Sequence, residues 1–62
     1  VRLKNFLYLL AIDTPVIIYE TETELYRGAS GDVPQSVLDN AYIKRAQYSN
    51  TLSRYIINIR YM

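Results

Sequence analysis

The chain has 62 residues, half of them hydrophobic, with seven Lys or Arg, six Asp or Glu, no Cys and no His. That length makes one domain around one small core, and the missing Cys and His exclude disulfides, thiolate chemistry and the commonest metal ligands. Chains this short bury only about 60% of the surface their unfolded form exposes and rely on a staple; self-association is the one that remains.

The opening segment VRLKNFLYLLAI sets Leu3, Phe6, Leu7 and Leu10 at i, i+3, i+4 and i+7, the spacing of an apolar helical stripe. Pro15 biases Thr14 away from helical angles, so a helix over about residues 2–11 is predicted. FLYLLAI falls well short of the roughly 20 apolar residues of a membrane span and lacks the small-residue site of a signal peptide. Val1 suggests a trimmed or alternative start. The absence of Cys fits a reducing compartment, and the expected location is the cytoplasm.

PVIIYE is β-branched and aromatic, with proline at the first strand position. ETET reads as a turn and ELYRG as a second strand, a hairpin without the Asn-Gly or Asp-Gly of the tightest turns. Gly28 and Gly31 punctuate the exit. DVPQSVLDN then reads as a short helix, with Asp32 or Val33 at its cap and Pro34 in its first turn. Val37 and Leu38 form its buried side, and Asn40 suits left-handed angles at its end. The closing YIKRAQYSNTLSRYIINIRYM reads as two strands joined around Ser49–Asn50. The expected fold is α+β, in the order αββαββ. Two hairpins form a four-stranded, mainly antiparallel sheet, the first helix packs on one face, and the other face is open.

An even loop around Ser49–Asn50 pairs Tyr48 with Thr51, Ala46 with Ser53 and Lys44 with Tyr55. Period-two alternation then gives one face Tyr42, Lys44, Ala46, Tyr48, Tyr55, Ile57, Ile59 and Tyr61. The other takes Ile43, Arg45, Gln47, Leu52, Arg54, Ile56, Asn58 and Arg60. Burial of the tyrosine-rich face selects this register. Single-strand nucleic-acid platforms place rings and cations on one exposed surface, so the separation argues against one here. Arg45 and Arg54 would stand opposite each other, which costs up to about 1 kcal/mol and calls for an anion. All six acids lie between Asp13 and Asp39. The hairpin-tip carboxylates Glu20, Glu22 and Glu24, from the same chain or a second copy, are the expected answer. A phosphate backbone is the alternative.

No residues suggest an enzyme. There is no His or Cys base or nucleophile, and no Ser sits in a G-x-S-x-G elbow. RGASGD lacks the Lys-Ser/Thr of a phosphate loop and reads as a plain connection. Glu20, Glu22 and Glu24 have the alternation of a hard-cation site, but a solvated loop tip is the commoner reading. No cofactor, metal, membrane or small-molecule substrate is expected.

RLKNFLYLL, VIIYETETELYRG and DVPQSVLDNAYI resemble short uncharacterised proteins of phages and mobile elements in Gram-positive bacteria, over about residues 2–43. The resemblance implies an accessory role, some such proteins being inhibitors of host defence complexes, including anti-CRISPR proteins. It carries over no functional residue. The expected function is a self-associating protein-binding module, an inhibitor of a host protein in the setting the resemblance implies, with Arg45, Arg54, Arg60, Glu20, Glu22 and Glu24 at its interface. The alternative is a nucleic-acid binder using the basic outer face of the last hairpin.

Overall fold

A computed structural model describes residues 1–62. Helix α1 spans Leu3–Tyr8 and follows the predicted stripe. Leu3 and Leu7 are buried, and Phe6 and Leu10 pack half-buried against the same core. The helix ends earlier than expected because its backbone finds other partners. The N–H groups of Leu9 and Leu10 donate to the Phe6 and Leu7 carbonyls at 3.1 and 3.0 Å, the i→i−3 bonds of a tightening last turn. Ser30 Oγ then donates to the Ala11 carbonyl at 2.8 Å, and the Gly31 N–H donates to that of Ile12 at 2.8 Å. Carbonyls that would extend the helix are thus tied to the middle of the chain.

Strands β1 (Pro15–Glu20) and β2 (Thr23–Ala29) form the first hairpin, turning at Thr21–Glu22 alone rather than across the whole ETET run. A 3₁₀ turn at Ser30–Asp32 leads to helix α2, Gln35–Leu38. Pro34 is its N-cap, in place of the expected Asp32 or Val33, and Val37 is buried. Asn40 adopts φ 59, as its place after a helix suggests. Strands β3 (Ala41–Ser49) and β4 (Arg54–Tyr61) complete the chain.

The α+β class, the four strands and the two helices are as expected, but the sheet is mixed rather than mainly antiparallel. Its order is β2-β1-β4-β3, with two antiparallel hairpins joined by a parallel pairing of β1 and β4 at the centre. The cause is visible in composition. Val16-Ile17-Ile18 and Tyr55-Ile56-Ile57 are continuous apolar runs, the signature of strands buried on both faces. The strands that alternate with charge, β2 and β3, take the edges, where charged side chains discourage further pairing. The core of Leu3, Leu7, Val16, Ile18, Val37, Ala41, Ile57 and Ile59 lies between the sheet and α1. Ile17 points to the opposite, back face yet is only 1% exposed, flanked by Ile56 and Arg27 on its neighbouring strands.

The last hairpin differs from expectation in two ways. Its loop holds four residues, so Tyr48 faces Tyr55, Ala46 faces Ile57 and Ser49 faces Arg54. The pairs Tyr48–Thr51, Ala46–Ser53 and Lys44–Tyr55 do not form, although the loop is still even and alternation holds from Arg45 onward. A β-bulge at Lys44 then shifts the register, so that Ile43 faces Ile59 and Tyr42 faces Arg60. The shift brings Ala41 and Ile43 onto the core side with Ala46 and moves Tyr42 onto the arginine side. Strict alternation would have pointed Ala41 and Ile43 away from the core.

Candidate interaction surfaces

The early end of α1 leaves an apolar surface. Tyr8, Leu9 and Ile12 are 89%, 84% and 79% exposed. Tyr8 and Ile12 border a cleft of about 290 Å³ whose walls include Leu7, Leu10, Val33 and Leu38. Lys4 is the single charged residue in its lining. Gly31 shapes this wall, because a Cβ there would meet the Ile12 carbonyl oxygen at 2.8 Å and the Ile12 Cβ at 2.9 Å. The helical-stripe reading missed this surface. Its signal was FLYLLAI itself, a run apolar on every side, which no single buried face can absorb.

The back face is the second surface. The pairings set its side chains in rows across the strands. One row is Arg27, Ile17, Ile56 and Gln47; the next is Glu24, Tyr19, Asn58 and Arg45. Beyond them lie Arg60 opposite Tyr42 at one end and Arg54 opposite Ser49 at the other. The Arg2 guanidinium stands 5.5 Å from the centre of the Tyr42 ring, in cation–π range. Tyrosine and arginine are therefore not segregated as the sequence suggested, since Tyr19 and Tyr42 share the arginine face. The expected opposition of Arg45 and Arg54 does not occur either, because Arg45 faces Asn58 and Arg54 faces Ser49.

The predicted carboxylates do not gather to answer the arginines. The turn at Thr21–Glu22 separates them, and no three Asp or Glu side chains come together as a metal would need. Glu20 lies half-buried toward the core side, Glu22 sits in the turn, and only Glu24 reaches the back face. Glu24 pairs with Arg27 at 2.7 Å, the single salt bridge of the chain. The Arg27 hydrogen bond lowers the Glu24 pKa, helped by the charges of Arg27 and Arg54 and opposed by desolvation. Arg45, Arg54 and Arg60 have no carboxylate partner. Arg54 instead donates from Nε to the Leu52 carbonyl at 3.3 Å.

At the bulge, Lys44 and Arg45 line one open niche with Thr21 and Asn58. The Asn58 Nδ2 donates to the Thr21 carbonyl at 3.0 Å, tethering the first hairpin's turn to β4, while its Oδ1 is buried without a donor. Compared with protein-family models, curated proteins and solved structures, the chain matches none. No helix is long and apolar enough to cross a membrane. The molecule exposes two surfaces of opposite character, one apolar and one basic.

Proposed function

We propose that the chain is a small, non-enzymatic protein-binding module whose first partner is a second copy of itself, docked through the cleft beside α1. The observation that carries this reading is the exposure of Tyr8 and Ile12 at an apolar cleft, with exposed Leu9 next to Tyr8 in the chain. Exposed apolar side chains gathered into one patch beside a cleft, unlike scattered single ones, mark interaction sites. A patch with both projecting side chains and an adjoining cleft is self-complementary, which suits a two-fold interface in which each copy fills the other. The need is also there. Nine buried apolar residues are a thin core for a free-standing domain. Docking on a host protein, as an inhibitor of the kind the resemblance implies, would use this apolar surface and compete with self-association.

Sedimentation equilibrium from micromolar to millimolar concentration tests the proposal. The native chain is expected to pass from monomer to dimer across that range. A Leu9→Ser, Ile12→Ser variant, altered only at exposed positions, should stay monomeric and folded. A native chain that is monomeric throughout contradicts the reading.

A further inference from the structure

We propose that the back face of the sheet binds single-stranded nucleic acid, with the bulge niche of Lys44 and Arg45 holding one phosphate and the arginines of β4 continuing the track. The inference goes beyond the self-association above and stands on different residues. Three observations converge on it.

The first is charge. Arg27, Arg45, Arg54 and Arg60 lie on this face, and Glu24 is the single carboxylate among them, already bound to Arg27. Three arginines are left for an anion from outside. The second is the bulge. Lys44 is the extra residue between the Ile43–Ile59 and Arg45–Asn58 pairs, so the usual alternation is suspended there, and Lys44 joins Arg45 in one niche with Thr21 and Asn58. Bulges commonly re-aim side chains beside functional sites. The third is the rings. Tyr19 and Tyr42 stand on the same face as the cations, which is the combination that lets bases stack while phosphates pair.

Tyr and Arg are common at protein interfaces too, whereas Lys is depleted there, so the Lys44 and Arg45 niche and the run of arginines beyond it favour a chain of phosphates over an acidic protein. A duplex hides its base faces, whereas a single strand presents them to an aromatic side chain. From Arg54 to Arg60 the stripe runs about 20 Å, at roughly 3.3 Å per residue, enough for several nucleotides.

Fluorescence anisotropy with a labelled oligo-dT of about ten nucleotides tests the proposal. Contact with three phosphates, one shared by Lys44 and Arg45 and one each at Arg54 and Arg60, predicts that the logarithm of affinity falls with the logarithm of salt with a slope of about −2, from roughly −0.7 per phosphate. A Lys44→Ala, Arg45→Ala variant should lose at least about tenfold in affinity at low salt and reduce the slope to about −1.4. Tyr42→Ser should weaken binding about tenfold with the slope unchanged. The Leu9→Ser, Ile12→Ser variant should bind as the native chain does, which separates this site from the apolar cleft. Absence of binding at low salt overturns the proposal, as does affinity indifferent to the Lys44 and Arg45 changes. Equal competition by polyglutamate would also overturn it, assigning the face to an acidic protein.

Discussion

Thr21 sits at φ 57 in a two-residue hairpin loop, and Ser53 at φ 55 as the last residue of the other loop. A β-branched side chain in that region is strained by about 1–3 kcal/mol. Asn58 holds the turn by the Thr21 carbonyl, a backbone group that substitution leaves in place. Thr21→Gly is therefore expected to stabilise the fold by about 1 kcal/mol, and to raise the melting temperature by about 4–8 °C in a thermal scan. Gly28 is the converse. It has φ 151, and a Cβ there would meet the Tyr26 hydroxyl at 2.9 Å. That hydroxyl donates to the Ala29 carbonyl at 2.7 Å, laying the ring across the glycine. Gly28→Ala should lower the melting temperature, because it opposes both the backbone angle and the ring.

The same two-part logic of burial and hydrogen bonding governs pH. Desolvation raises the pKa of Tyr26, with help from Asp32, and that of Tyr61, with help from Glu20. Tyr61 also donates to the Val37 carbonyl at 3.0 Å, joining β4 to α2. Each folded phenol holds its proton more tightly than the unfolded one, so its stabilisation is complete below the ordinary value of about 10 and is lost as pH rises through the folded value. Denaturant titrations should show stability falling above about pH 10, with a shallower fall in Tyr61→Phe.

Among the elements, the bulged strand β3 carries most of the difference between sequence and structure. Its apolar positions read Ala41, Ile43, Ala46 and Tyr48, with spacings of two, three and two. The step of three is a bulge written in the sequence. It was masked because Tyr42 and Lys44 make an equally regular alternation with Ala46. Aromatic character alone does not say which face a tyrosine takes, whereas burial of Ala41 and Ile43 together does. Deleting Lys44 should remove the bulge and leave Ala41 and Ile43 facing the core, because Ile43 and Arg45 would then be consecutive opposite Ile59 and Asn58. Urea unfolding should show stability kept to within about 1 kcal/mol, with the Arg45 and Asn58 cross-peaks altered in NMR spectra as the strand straightens, and a loss of several kcal/mol would contradict this register. Other elements were legible for plain reasons. The α1 stripe, Pro15 at a strand start and Asn40 after α2 are each decided by local geometry. The parallel β1–β4 pairing joins residues far apart in the chain, so only the doubly buried runs pointed to it. The apolar cleft was hidden because it depends on Ser30 and Gly31 capturing the carbonyls of Ala11 and Ile12.

At the scale of the whole molecule, one thin sheet separates a covered face from an open one. The helix side ends in the apolar surface of Tyr8, Leu9 and Ile12, and the open side carries arginines with two tyrosines. The proposed association through the first surface would draw on the folded state alone, so the melting temperature should rise with protein concentration. The Leu9→Ser, Ile12→Ser variant should show no such rise in scanning calorimetry.

The location of that association is the central claim, and a dilution series of amide NMR spectra reads it directly. Amides of residues 4–12 and 31–38, around the cleft, should shift progressively with concentration, while those of Tyr42, Arg45, Asn58 and Arg60 stay fixed. Spectra independent of concentration, or shifts confined to the arginine face, would contradict it.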